Sequence, residues 1–140
     1  MRRGARRGGS RADAARQCVA VFDTGFFKAL CEPARIAVLR EVILLGRGDI
    51  AAIAARLPQD RSVIARHLHQ LAAARIVRAD RQGRHVFYQV DAGAIADRLE
   101  GILAITRSLE AVMDAGMARL ASAKARKPRA PTRRRRSHAG

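Results

Sequence analysis

Residues 49–90 change hydrophobic period partway along, and this change restricts the fold more than any other feature of the chain. In DIAAIAARL (49–57) and DRSVIARHLHQLAAA (60–74) the apolar residues recur at helical spacing, and only Pro58 and Gln59 part the two segments. From Ile76 onward, IVRAD and HVFYQVD read as two β-runs joined by RQGR, with Val86, Tyr88 and Val90 alternating against His85, Phe87 and Gln89. Two strands this close make a hairpin, and Gly83 supplies its turn. Helices as short as those at 49–74 are marginal alone, so they must pack on one another.

Punctuation divides the rest of the chain in the same way. DTGFFKALCE offers Asp23 as an N-cap and Phe26, Phe27 and Leu30 as a helical apolar face. Pro33 suits the first position of the next helix, which should turn Ile36, Leu39 and Val42 or Ile43 inward and stop at Gly46 and Gly48. Asp49 and Asp60 are expected to cap the two helices that follow them, and Asp91 a long last helix from Ala92 to about Ser122. The predicted order is α-α-α-α-β-β-α, a mainly α chain with one small β-hairpin. Two short helices, a turn of about three residues and a β-wing make a winged helix-turn-helix.

A chain of 140 residues, 49% of them hydrophobic, suits one domain with a small core. Its formal net charge of +16 makes a polyanion the first partner to consider, and nucleic acid is the commonest. The charge is unevenly placed. Residues 1–16 hold 6 arginines against Asp13, and residues 119–140 hold 9 basic groups and no acid, whereas residues 17–118 balance 13 basic against 11 acidic groups. Residues 1–12 and 124–140 cannot bury enough apolar surface to offset ordering entropy, so they are expected to be disordered basic tails around a folded domain at 13–123. No apolar stretch approaches a membrane span, and Asp13, Arg16, Asp23 and Lys28 interrupt any signal-like segment after the arginine-rich start. Two cysteines are too few for a disulfide scaffold. The expectation is a cytoplasmic protein with no membrane partner.

Within DRSVIARHLHQL, Ile64, Leu68 and Leu71 fix the buried side, and the opposite side presents Arg61, Ser62, Ala65, Arg66 and His69. Arginine donates two hydrogen bonds to guanine, and serine or histidine reaches phosphate or a base edge, so this helix looks built to enter a major groove. A metal site fits poorly, because His67 and His69, two residues apart on a helix, point about 200° away from each other. His67 is expected to be a core histidine making one hydrogen bond. HExxH, CxxC, a glycine-rich phosphate loop and paired carboxylates are all missing from the sequence, so no enzyme, metal or cofactor is predicted.

FKALCEPARIAVLREVI, DIAAIAARL, DRSVIARHLHQLAAARIV and RQGRHVFYQVD, in this order, closely resemble the ArsR/SmtB family of winged-helix repressors over about residues 22–115. The resemblance implies a homodimer that binds double-stranded DNA at a palindromic operator and leaves it when an effector binds. It places the start of the reading helix on Asp60, Arg61, Ser62, Val63, Ala65, Arg66 and His67, and the wing tip Arg81, Gln82, Gly83 and Arg84 on the adjacent minor groove or its phosphates. The family often has Gln, Thr and Ser where this chain has Arg61, Val63 and Ala65, which alters the expected operator sequence. Its thiol sensor uses a cysteine pair on the helix before the turn, and IAAIAARL has none. Its zinc sensor uses Asp, His and Glu on the last helix, and that helix contains no histidine.

Cys18 and Cys31 remain as effector candidates, for a metalloid or a thiol-based redox signal. On one continuous helix they would stand about 20 Å apart, so a shared site needs a break at Asp23-Thr24-Gly25 or a second subunit. The alternative for Cys31 is a buried small hydrophobe. Dimerisation is expected through the terminal helix, where Ile95, Leu99, Ile102, Thr106, Leu109, Met113, Met117 and Leu120 form a heptad-like seam, widened by Ala96, Leu103, Ile105 and Val112. Two other functions compete with that of repressor. One is a sequence-nonspecific architectural protein held to DNA by its tails, and the other is a protein-interaction module that recruits a factor through the long helix.

Overall fold

The structure, a computed structural model, describes residues 9–22 and 24–126. Its elements are α1 (Arg11–Phe22), α2 (Gly25–Leu30), α3 (Pro33–Leu45), β1 (Gly48–Asp49), α4 (Ile50–Ala54), α5 (Arg61–Ala73), β2 (Val77–Gln82), β3 (His85–Val90) and α6 (Ala92–Ala125). The expected helices and hairpin are present, with two additions. α1 occupies residues assigned in part to the N-terminal tail, and β1 extends the hairpin to a three-stranded antiparallel sheet of order β1-β3-β2. α6 also runs into the region assigned to the C-terminal tail. The remaining tail residues, and the cap expected of Asp23, lie outside the described residues.

Local chemistry sets most boundaries. Ser10 and Asp13 cap α1 reciprocally: the Asp13 N–H donates to Ser10 Oγ at 3.2 Å, and the Ser10 N–H donates to Asp13 Oδ2 at 3.2 Å. Ser10, with Arg16 on the next turn, holds the Asp13 carboxyl below its ordinary range. Thr24 stands at the N-cap of α2 without a side-chain cap bond. Asp49 accepts from the Ala52 N–H at 2.9 Å and Asp91 from the Ala94 N–H at 3.1 Å, so both cap as expected. Asp60 occupies the N-cap of α5 but its carboxylate makes no cap bond; only its carbonyl joins the helix, accepting from Val63 and Ile64.

The C-terminus of α5 is closed by a Schellman turn. The Arg75 N–H donates to the Ala72 carbonyl and the Ile76 N–H to the Leu71 carbonyl, both at 3.0 Å, with Leu71 and Ile76 buried against the core. Arg75 adopts φ +57° to do this, a left-handed conformation that costs a non-glycine residue about 1–2 kcal/mol. The β2–β3 turn places Gly83 at φ +62° directly after the Gln82–His85 pair, the position at which a type II′ turn takes glycine.

The core joins Phe26 and Ala29 of α2, Val38 and Val42 of α3, Ile53 of α4, Ile64, Leu68 and Leu71 of α5, and Ile76 and Val77. On α3 the inward residues are Val38 and Val42 with Leu39 beside them; of the alternatives Val42 and Ile43 it is Val42 that turns in, while Ile36 is exposed, contrary to the sequence expectation. Glu41 is buried too. Its carboxylate accepts from Arg56 Nε at 2.9 Å, tying the turn after α4 to α3. Arg35 donates to the carbonyls of Lys28 and Ala29 at 3.1 Å each, which satisfies the open C-terminal end of α2.

Candidate nucleic-acid interface

At about 100° per residue, Arg61, Ala65, His69, Ser62 and Arg66 fall within an arc of about 140° on α5. Ile64, His67, Leu68 and Leu71 occupy the opposite arc and are all buried. Arg61, Ser62, Arg66 and His69 are exposed, and Ala65 is half-buried between them. The five predicted side chains therefore share one face, and the two arginines sit in the first two turns. His67 is a core histidine as expected, but the expected hydrogen bond is missing: its Nδ1 is buried without a partner.

The wing is fastened to the helix-turn-helix by contacts that sequence reasoning did not single out. β1 pairs with β3 through Gly48↔Tyr88 and Asp49↔Phe87. His85 Nδ1 lies 3.3 Å from Asp49 Oδ2, the same carboxylate that caps α4. The Asp49 carboxyl is held below its ordinary range, chiefly by the Ala52 N–H and further by His85. Arg47, just before β1, donates to Asp80 at 3.1 Å and stacks 4.2 Å over the Phe87 ring. The only available signal for these partners was an Arg-Gly-Asp run ahead of a helix, and nothing in it indicates a sheet.

Arg61 from α5 and Arg84 from the wing line one cleft of about 310 Å³, together with Asp49, His85, Val86 and Tyr88. Arg81 pairs with Val86 in register and stands on that side of the sheet, because cross-strand partners share a face. Gln82, one residue on, donates from Nε2 to Asp80 at 3.3 Å. Arg84 thus lines one cleft with Arg61, and Gln82 pairs in register with His85, which lines it too. Exposed guanidiniums on a helix start and on an adjacent hairpin tip can engage base edges and phosphates together.

The effector candidates are not joined by a disulfide. Cys18 is half-buried on α1, and Cys31 is exposed after α2, its thiol donating to the Phe27 carbonyl at 3.1 Å, so the alternative of a buried small hydrophobe fails. Among the described residues no group of three or more His, Cys, Asp or Glu side chains could hold a metal ion, and no helix is long and apolar enough to cross a membrane.

α6 spans 34 residues, about 50 Å at 1.5 Å per residue, and buries none of them within the chain. α1 packs along it. Within the single chain, the apolar residues expected on α6 divide by exposure. Ile95, Ile102, Ile105, Leu109 and Val112 are half-buried, while Leu99, Leu103, Met113, Met117 and Leu120 are exposed.

A short helix, a turn, a reading helix and a β-wing define a winged helix-turn-helix protein. The fold matches the crystal structure of an ArsR family transcriptional regulator at a TM-score of 0.50 and 26% identity, over 61% of this chain and 86% of that one. An ArsR-like transcriptional regulator from Rhodococcus sp. RHA1 is similar at 24% identity and a TM-score of 0.46, covering 83% of this chain and 97% of that one. The solution structure of a homodimeric winged helix-turn-helix DNA-binding domain from Mycobacterium bovis, a possible ArsR-family regulator, matches at 24% identity and 0.45, over 76% and 90%. No protein-family model matches the sequence, and the search of curated proteins finds no match either. The architecture is that of the ArsR-type winged-helix transcriptional regulators.

Proposed function

We propose that the protein is a homodimeric, sequence-specific DNA-binding repressor rather than an enzyme, and that it works in the cytoplasm. The observation that carries this reading is the shared side formed by the polar arc of α5 and the wing arginines, with Arg61 and Arg84 in one cleft. In this reading Arg61 and Arg66 donate to guanine edges, Ser62 and His69 reach phosphate or base edges, and Ala65 lets the helix backbone approach the groove. Arg81 and Arg84 neutralise phosphates beside it, while Gln82 supports the wing through Asp80. The exposed apolar side of α6, with Val19 and Phe22 of α1, supports a second copy as partner. An operator with two half-sites then requires two reading helices. The effector and the operator sequence stay open in this proposal, with Cys18 and Cys31 as effector candidates.

The strongly basic termini favour a second reading, an architectural protein that coats DNA without choosing sequences. Titrating duplexes with the full chain, with Arg66→Ala and with a chain lacking residues 127–140 separates the two. A lost arginine–guanine pair costs about 1–3 kcal/mol on the preferred sequence and little elsewhere. Each lost phosphate contact instead lowers the salt slope by about 0.9 on every sequence. If Arg66→Ala leaves sequence preference intact and tail removal abolishes binding, the repressor reading fails.

A further inference from the structure

We propose that His85 is a further DNA contact, which takes a backbone phosphate on its outer ring nitrogen when protonated, so that DNA binding strengthens in mild acid. The inference rests on the reading of α5 and the wing as a DNA surface. His85 opens β3 beside the wing tip and lines the cleft shared by Arg61 and Arg84. Its Nδ1 lies 3.3 Å from Asp49 Oδ2, and that carboxylate is itself held by the Ala52 N–H at 2.9 Å. The His85 side chain is 66% exposed, and among the described residues its Nε2 has no hydrogen-bond partner. One end of the ring is thus anchored to the cap of α4, and the other is left for a ligand.

Charge decides what that ligand is. Around His85 stand Arg61 of α5, Arg84 of the wing turn and Asp49 of β1, with Tyr88 in the same cleft. Asp80 of β2 and Arg47 pair with each other beside the Phe87 ring, whose centroid is 6.2 Å from that of His85. A neutral imidazole that donates from Nδ1 to a carboxylate keeps only a lone pair at Nε2, which a phosphate oxygen cannot use. Protonation turns Nε2 into a donor and cancels the negative charge of Asp49 next to the two guanidiniums. Histidine makes this change between about pH 5 and pH 8. The Asp49 carboxyl, held below its ordinary range chiefly by the Ala52 N–H and further by His85, stays charged throughout that window. A phosphate on Nε2 favours the protonated ring, so the complex binds more protons than the free protein and affinity rises as pH falls.

The test takes the duplex that the full chain enriches most from a random pool and measures its dissociation constant at about pH 5.5 and about pH 8, at a fixed salt of about 0.15 M. For the parent the constant should be at least about tenfold larger at the higher pH, the scale of one charge-assisted hydrogen bond. His85→Gln keeps a donor but never charges, so it should cut that ratio to about threefold or less. His85→Arg is charged at both pH values and should hold the acid affinity up to the higher one. Arg84→Ala should weaken binding at both. A parent ratio below about twofold, or a ratio that His85→Gln leaves intact while His69→Gln removes it, would overturn the proposal and leave the reading of the wing standing. An Arg84→Ala chain that binds like the parent at both pH values would overturn both.

Discussion

His67→Leu should stabilise the protein, and the size of the gain follows from one atom. His67 lies on the inward arc of α5, 9% exposed, and its Nδ1 is buried with no hydrogen-bond partner. A nitrogen in that position gives up its bond to water and receives nothing in return, a cost of about 1–3 kcal/mol. Leucine extends the apolar stripe of Ile64, Leu68 and Leu71 and forms helix more readily than histidine by a few tenths of a kcal/mol. The imperfect match in shape costs less than about 1.5 kcal/mol, leaving a net gain on the order of 1 kcal/mol. The assay is urea unfolding followed by circular dichroism, with parent and variant at the same protein concentration because association shifts apparent stability. With a slope of about 1–3 kcal/mol per molar urea, the midpoint should rise by roughly 0.3–1 M and the slope should not change. DNA affinity should stay within about twofold, since the side chain faces inward; a tenfold loss corresponds to about 1.4 kcal/mol. A lower midpoint would refute the reasoning, because it would mean that Nδ1 has a partner in the folded protein.

Other consequences are equally direct. Arg56→Ala removes the 2.9 Å partner of the buried Glu41 carboxylate and should destabilise by about 1–3 kcal/mol, less than for a fully buried pair because Arg56 is half exposed. Arg40→Ala, at the exposed 3.8 Å contact with the same residue, should change stability by less than about 0.5 kcal/mol. The Asp49 carboxyl titrates below its ordinary value near 3.8, so its cap contributes fully above that pH and is lost as pH falls through the lowered value. Asp49→Ala should therefore be less stable than the parent at pH 7, and the gap between their melting temperatures should close in acid well below pH 3.8. Leu103→Asp combined with Met117→Asp places charge on exposed apolar positions of α6, so sedimentation should find a folded monomer for the variant and a dimer for the parent.

What could be read in the sequence was whatever depends on local chemistry. The spacing of Ile64, Leu68 and Leu71 fixed the buried side of α5, and each of the three is fully buried. Gly83 marked the wing turn because a two-residue hairpin needs a positive φ there. α1 carried its own signal, Ser10 three residues before Asp13, but the surrounding arginines and glycines resemble tail composition. β1 is two residues long, too short to show an alternation, and forms only because β3 offers it an edge. Val42 is inside as one of the two alternatives expected there, but Ile36 was expected inside and Val38 takes the core instead, because hydrophobicity alone does not choose among nearby apolar residues on one helix. The Arg47–Phe87–Asp80 and His85–Asp49 contacts join residues more than thirty positions apart and leave no local trace.

The central claim is that α5 and the wing read a defined sequence as a pair. Selection of random duplexes by the full chain at about 0.15 M salt, repeated with Arg66→Ala, tests it most directly. The account predicts an enriched inverted repeat whose half-sites lie about one helical turn apart, roughly 10 base pairs or a multiple of this, with the enrichment lost in Arg66→Ala while weak, salt-dependent binding survives. Binding without any enriched sequence, or an unaltered repeat recovered by Arg66→Ala, would contradict it.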